Sequence, residues 1–189
     1  MFLHFLSAIF SKAWLPVLSN IAPPEVRRQQ ATKKLWDKYH SLPDSFCISR
    51  DLINLSATRL KSRKPLWLES YLPEPFKVAD KWKLQWQEEG NSLFNSRLIT
   101  HPEKQVPGFD LPRNIWVKLN RLRTLHGRCN DMLYKWSAVP DPFCACGHPS
   151  ETIKHMVNDC PLTKFQGGFE ALHQASPEAI HWISNIKEL

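Results

Sequence analysis

The sequence of 189 residues has little glycine and lacks several motifs that mark enzymes. It has 6 glycines against 15 prolines, a balance that predicts short helices separated by stiff connectors. It has no adjacent pair of aspartates to hold two metal ions, no glycine-rich loop to cradle a phosphate and no G-x-S-x-G motif. These absences exclude the common polymerase, nuclease and hydrolase sites, and we expect no catalysis by this chain alone.

Internal repeats and sustained strand alternation are also absent, and the apolar periodicity is helical. Hydrophobic residues make up 42% and charged residues 23%, close to globular averages, which excludes a fully disordered chain. The sequence therefore predicts a mainly α fold of short helices. We expect helices from Pro23 to about His40, from Val78 to Gly90, from Arg113 to about His126 and from Ser176 onward. In the second of these helices, Trp82 and Trp86 are expected to lie in the core. In the last, the residues expected to be buried are Ala179, Trp182, Ile183 and Ile186.

A stretch rich in proline predicts the domain organisation. Residues 101–112 contain three prolines and a glycine and have the composition of a linker. We therefore predict a helical region over residues 1–100, a linker over 101–112 and a second helical module over 113–189.

The first ten residues are almost continuously apolar, but the run is too short to span a bilayer. No positively charged region precedes it, as one would in a signal peptide. We interpret it as a core helix cut from a larger parent and expect a nuclear or cytoplasmic protein without a membrane partner. Secretion, with cleavage after Ser7-Ala8, is the weaker alternative.

The charge of the chain points to a polyanionic partner. It has 25 basic and 18 acidic residues, a net charge of +7 and a pI near 9.3, which favours RNA or single-stranded DNA. Trp116 and Trp136 are available for base stacking, although either can instead belong to the core. The basic run Arg59–Lys64 is a second phosphate patch, a localisation signal or a solvated linker. The candidate nucleic-acid-binding residues are Arg113, Lys118, Arg121, Arg123, Arg128 and Lys135.

Three of the five cysteines cluster with a histidine in the pattern C-x-C-x8-H-x4-C. Three thiolates and one imidazole suit a closed, structural Zn²⁺ site in a reducing compartment, formed by Cys144, Cys146, His155 and Cys160. The other reading is free cysteines beside an unrelated histidine. His148 competes with His155, but a bend at Gly147 would carry His148 outward. Zinc is then expected to hold the segment after about Val139 together.

The spacing of His155 and Cys160 requires a helix that stops between them. Five residues at 100° each would place the two side chains about 140° apart around an unbroken helix. Ser150 is the expected N-cap of this helix, and Pro161 is expected to force its end before Cys160.

Several segments, taken in order, resemble the part of non-LTR retrotransposon reverse transcriptases that follows the polymerase core, with the best likeness to RTE-type and jockey-like elements. They are Trp14–Arg28, Arg59–Leu68, Leu111–Thr124, His126–Cys129, Leu133–Trp136, Cys144–Gly147, Thr152–His155 and Asp159–Pro161. The resemblance implies a C-terminal piece of an endonuclease–reverse transcriptase with a truncated N-terminus. It also implies a thumb- or linker-like role for residues 1–100 and a zinc-knuckle-like, nucleic-acid-binding role for the Cys-His region. The family's catalytic Ala-Asp-Asp motif would lie upstream.

Two hypotheses of function follow. The chain is a nucleic-acid-binding C-terminal module of a reverse transcriptase, acting with the rest of that protein. Alternatively, it is a zinc-stabilised structural or interaction protein, a domesticated or decayed remnant without nucleic-acid affinity. Salt-dependent RNA binding separates the two.

Overall fold

The computed structural model describes residues 12–43, 45–47 and 75–186. Within these ranges all regular structure is helical and no strand occurs, which confirms the predicted mainly α fold. The apolar residues 1–10 and the basic run Arg59–Lys64 lie outside the described residues. In chain order the helices are α1 (Trp14–Ser19), α2 (Pro24–His40), α3 (Val78–Gly90), a 3₁₀ turn (Ser96–Leu98), α4 (Arg113–Thr124), α5 (Asn130–Lys135), α6 (Ile153–Asn158), α7 (Gly168–His173) and α8 (Pro177–Asn185).

The bounds of the longer helices follow from local sequence signals. Helix α2 has Pro24 in its first turn, where the missing N–H costs nothing. Ser176 caps α8, since its hydroxyl oxygen accepts a hydrogen bond from the Ala179 N–H. Helix α4 ends at Thr124, two residues earlier than predicted, because Leu125 takes a left-handed conformation with φ 56°. In the described ranges, no helix is both long enough and apolar enough to cross a membrane.

The described residues fall into two compact units. One combines residues 12–21 with 86–186, and the other consists of described residues between 22 and 85. The predicted linker 101–112 is irregular, yet Pro102 and Val106 within it are buried. Gly108 has φ +76°, and a Cβ there would lie 2.9 Å from the Ala175 Cβ, so a larger residue would force this segment away from the core. The domain boundary placed at 101–112 stays a prediction.

The hydrophobic core of the first unit is formed by helices from its C-terminal half. Helix α4 packs against α7 and α8, while α7 also contacts α6 and α8. Leu119 and Leu122 of α4 are completely buried, as are Val157 of α6 and Ile183 of α8. Leu119 and Leu122 therefore lie on the buried face of α4, and α6 belongs to the same core as α4.

The two tryptophans of α3, which were predicted to lie in the protein core, are both buried. Trp82 is 4% and Trp86 5% exposed. The indole N–H of Trp86 donates to the Ile99 carbonyl at 3.1 Å, so the polar atom that burial would otherwise strand has a partner. Neither side chain is therefore open to a nucleic-acid base.

Candidate metal centre

Four side chains that are separated by up to 16 positions in the sequence converge at one point. The ligand atoms of Cys144, Cys146, His155 and Cys160 all lie within 4.8 Å of one another. The Cys144 and Cys160 sulfurs are 3.7 Å apart, and the Cys146 sulfur is 3.2 Å from His155 Nε2. Two thiolates bound tetrahedrally at about 2.3 Å from one metal ion would be about 3.8 Å apart. The cluster thus has metal-binding geometry, and its cysteines are free thiols.

The first two cysteines are brought together by a tight turn. The Gly147 N–H donates to the Cys144 carbonyl, and the Cys144 N–H donates to the His148 carbonyl, both at 2.9 Å. Gly147 has φ +91°, a conformation that a side chain would strain. The bend predicted at Gly147 is confirmed, and it leaves His148 exposed at the surface.

Helix α6 presents the histidine and stops before the last cysteine. His155 lies in α6, and Asp159 ends the helix with a non-helical backbone conformation. The Cys160 N–H then donates to the His155 carbonyl at 2.8 Å. The break that the sequence predicted before Pro161 is present, and it returns Cys160 to the side of His155.

The N-cap of α6 is Thr152, which corrects the assignment to Ser150. The Thr152 hydroxyl oxygen accepts from the His155 N–H at 3.1 Å. The Ser150 hydroxyl instead donates to the Asp131 carboxylate at 3.0 Å, so it ties the segment to α5. The sequence did carry the signal, since Thr-x-x-His places the hydroxyl three residues before the N–H that it caps.

Hydrogen bonds around the sulfurs prepare part of the cluster to carry negative charge. Burial opposes ionisation of Cys160, but hydrogen bonds from Thr163 and from the Leu162 N–H outweigh it and lower the pKa of this thiol. Burial raises the pKa of Cys144, although the Cys146 N–H acts in the opposite direction. The segment after Pro161 thus supports the ligands, a role that the sequence reading missed.

The predicted nucleic-acid-binding residues separate into two groups. Arg113, Arg128 and Lys135 are exposed, with Lys135 paired to Asp131 at 2.7 Å, and Arg121 is partly exposed. Lys118 is partly buried, and its ammonium donates to the main-chain carbonyls of Ile183 and Ile186 at the end of α8. Binding of nucleic acid by the exposed residues stays a prediction.

Arg123 requires a correction, because it is a core residue. Its side chain is 1% exposed, and its guanidinium donates to the carbonyls of Pro107 and His173 at 2.6 and 2.7 Å. Burial lowers its pKa to about 10, so it remains charged at neutral pH. An arginine held in this way is not available to a phosphate. Its partners lie 16 and 50 residues away in the chain, a distance over which sequence periodicity carries no signal.

The two candidate stacking tryptophans also differ. Trp116 packs edge-on against Phe109, with a 5.3 Å centroid separation, and Arg123 lies 5.5 Å from its ring centre. Trp136 is 42% exposed. Of the two, Trp136 is the one that the fold leaves accessible to a base.

Comparison with known proteins gives one informative similarity. The chain is 31% identical over 93 residues to the retrovirus-related Pol polyprotein from the type-1 retrotransposable element R1 of Bradysia coprophila. The match covers 46% of this chain and 8% of that polyprotein. No family model and no solved structure matches. The similarity supports a retrotransposon-related origin, and a finer kinship with RTE or jockey elements is not confirmed by it.

Proposed function

We propose that this chain is a nucleic-acid-binding C-terminal part of a retrotransposon reverse transcriptase, organised around a structural zinc ion. The observation that carries the proposal is the metal-binding geometry of Cys144, Cys146, His155 and Cys160 in a chain similar to a retrotransposon polyprotein. Kinship with RTE-type or jockey-like elements belongs to the proposal. The expected partners are RNA or single-stranded DNA and the rest of the reverse transcriptase, and the chain by itself is not an enzyme.

Zinc suits the donor set, since three sulfurs and one imidazole form a soft, closed tetrahedron. Four protein ligands leave no position for water or substrate, so the ion supplies a cross-link and no Lewis-acid chemistry. It would join the turn at Gly147 to both ends of the short helix α6. Hydrogen bonds from Thr163 and from the Leu162 N–H support the thiolate form of Cys160 that the ion needs.

The remaining cations set the expected strength of phosphate binding. Lys118 and Arg123 donate to carbonyls; of the other four candidates, Arg113 and Arg128 are exposed, Arg121 is partly exposed and Lys135 is paired with Asp131. If about half of them neutralise phosphates, log K falls against log salt with a slope of about −1.4 on a single strand. Binding is then weak, salt-sensitive and nearly independent of sequence.

The test is the binding of a labelled single-stranded RNA of mixed sequence to the zinc-loaded full chain over a range of salt. Fluorescence anisotropy should give the slope above, and Arg128→Gln should reduce it by about 0.7. Arg97→Gln is the matched control, since Arg97 is exposed but outside the candidate set. A flat response, or no binding at about 50 mM salt, would overturn the proposal.

The alternative function, a zinc-stabilised structural or interaction protein, has one observation in its favour. Lys118 and Arg123, which the sequence placed on a nucleic-acid surface, donate to main-chain carbonyls instead. Retention of zinc without RNA binding at low salt would support this function.

A further inference from the structure

We infer that Glu151 is a positioning residue that holds helix α5, and the cations beside it, to the metal centre. Loading of the metal thereby regulates the surface that these cations offer to a nucleic acid. The inference rests on the proposed function, from which it takes both the metal and the nucleic acid, and it adds a physical link between the two.

Helix α5 has little stability of its own. It has six residues, and none of them is fully buried, although Met132 packs partly buried against the core. Isolated helices shorter than about 12 residues are marginal in water. The N-cap residue, Cys129, makes no capping hydrogen bond through its side chain. The first N–H groups of the helix therefore need acceptors from another part of the chain.

Glu151 supplies these acceptors. Its carboxylate accepts a hydrogen bond from the Asn130 N–H at 3.1 Å, and its main-chain carbonyl accepts one from the Asp131 N–H at 3.2 Å. Asn130 and Asp131 are the first two residues of α5, so a residue 21 positions from Asn130 caps the helix. A carboxylate at this end also interacts favourably with the helix dipole.

Two further hydrogen bonds join the start of α5 to the segment that carries the cysteines. The Ser150 hydroxyl donates to the Asp131 carboxylate at 3.0 Å. The Asn130 side-chain amide donates to the carbonyl of Phe143, the residue before the first cysteine of the cluster, at 2.8 Å. The first turn of α5 is thus held by four hydrogen bonds to this segment.

The candidate metal ligands enclose the residues that cap α5. Ser150 and Glu151 lie in the loop between Cys146 and His155, whose ligand atoms meet in the cluster. A loop with joined ends has far fewer conformations than an open one. Metal binding therefore holds Glu151 where it can cap α5. By reciprocity, the cap favours the loop conformation that binds the metal.

The same contacts fix cations that are candidates for phosphate binding. Lys135, in the last turn of α5, pairs with one carboxylate oxygen of Asp131 at 2.7 Å, while the other oxygen accepts from Ser150. Arg128 is exposed and lies two residues before the helix. An ordered α5 therefore determines where these two cations are presented.

Hydrogen exchange in the zinc-saturated full chain tests the cap directly. Glu151→Ala should make the amides of residues 130–136 exchange about 2- to 30-fold faster, the factor that corresponds to loss of a helix cap. Helix α8 should keep its protection. Glu151→Gln retains an acceptor oxygen and should exchange more slowly than Glu151→Ala. Glu170→Ala is the control, since it removes an exposed carboxylate of α7 and should leave α5 unchanged.

Zinc affinity provides an independent measurement of the same link. Because the cap is held in place by the loaded loop, Glu151→Ala should weaken zinc binding by a similar factor of about 2 to 30 in competition with a chelator. Bound Co²⁺ should keep its visible spectrum, since all four ligands remain. Ser150→Ala leaves Glu151 in place and should change both measurements in the same direction, which keeps the test available if Glu151→Ala does not fold.

The sign of the change in RNA affinity separates positioning from charge. Removal of a carboxylate would by itself strengthen the binding of a polyanion. We nevertheless expect Glu151→Ala, at saturating zinc, to bind a labelled single-stranded RNA more weakly than the original chain, because its cations are no longer held in place. Glu170→Ala removes the same charge and should bind at least as tightly as the original chain.

The outcomes distinguish this inference from the proposed function. Unchanged exchange of α5 in Glu151→Ala, or equal acceleration in Glu170→Ala, would overturn the role of Glu151. Tighter RNA binding by Glu151→Ala would overturn the link to the cations. Absence of RNA binding by every variant and by the original chain would overturn the proposed function, whereas hydrogen exchange and zinc affinity would still decide whether Glu151 couples α5 to the metal.

Discussion

At the scale of single residues, two histidines compete for one metal position. The His148 ring stacks on the His155 ring, with centroids 4.1 Å apart and planes 15° from parallel. His155 directs Nε2 at the Cys146 sulfur, whereas His148 Nδ1 is within 2.8 Å of the Ser150 carbonyl. This geometry favours His155 over His148 as the histidine that would bind the metal.

Exchange of each histidine for alanine tests this assignment. His155→Ala removes one of four ligands, and we expect zinc affinity to fall by more than about 100-fold, beyond what loss of an outer-shell partner costs. His148→Ala should change it by less than about tenfold. Competition against a chromophoric chelator measures both values. Equal losses, or a greater loss in the His148 variant, would show that the assignment is wrong.

A third histidine, His173, makes the stability of the core depend on pH. His173 is 3% exposed, and its pKa is lowered from 6.5 to about 4 by burial and then by the charge of Arg123. The folded chain therefore keeps His173 neutral over a range in which the unfolded chain protonates it. Because the unfolded state binds more protons there, stability falls as the pH drops from 6.5 towards 4.

The size of this effect can be measured with one variant. A shift from 6.5 to about 4 corresponds to a loss of about 3 kcal/mol of unfolding free energy across that range. His173→Asn should remove this component, so the difference in stability between the two proteins should shrink or reverse in acid. Urea unfolding of both zinc-loaded chains at pH 7 and at about pH 4.5 measures it. Protonation of the metal ligands affects both proteins alike, and identical pH profiles would contradict the mechanism.

At the scale of elements, the sequence predicted those helices whose ends carry their own signals. Prolines start α2 and α8, and a glycine ends α3, so these bounds were readable locally. The convergence of the four Cys-His side chains was readable for the same reason, since Gly147 and Pro161 encode the two changes of direction that it needs. Helices α1, α5 and α7 have six residues each, too few for a periodic pattern. The burial of Arg123 depends on carbonyls far along the chain.

Removal of zinc tests how the elements depend on one another. From the sequence, removal of zinc is expected to unfold only the segment after about Val139. In the structure, however, Ile153, Met156 and Val157 of α6 pack in one core with α4. We therefore expect a strong chelator to reduce protection from hydrogen exchange in α4, α6, α7 and α8 together. Helix α2, in the other unit, should keep its protection.

Hydrogen-exchange mass spectrometry resolves these peptides separately. The zinc-saturated form of the same chelator is the control for effects of the chelator itself. Loss confined to residues 144–160 would show that α6 does not couple the metal to the core, and loss that includes α2 would show that the two units unfold as one.

At the scale of the whole molecule, some cationic side chains bind carbonyl oxygens within the core and others are exposed at the surface. Arg123 and Lys118 join segments of the core through carbonyl oxygens, while Arg113 and Arg128 are exposed. The net charge of +7 thus overstates the number of cations that can meet phosphates.

The last prediction concerns catalysis by the isolated chain. We expect the purified protein to incorporate no nucleotide on a primed RNA or DNA template with Mg²⁺. Nucleotide transfer by the two-metal route needs paired carboxylates, and the sequence contains no adjacent aspartates. The Cys-His cluster cannot replace them, because its soft, closed donor set disfavours Mg²⁺ and leaves no position for a triphosphate.

Extension of a labelled primer, resolved on a denaturing gel, measures this activity. An active reverse transcriptase serves as the positive control, and a mock preparation from cells that lack the chain, purified in parallel, reports contaminating polymerase. Template-dependent extension that co-elutes with this chain and is absent from the parallel preparation would contradict the prediction. Such activity would require a metal site outside the Cys-His cluster, because a closed tetrahedral centre has no position for the growing strand.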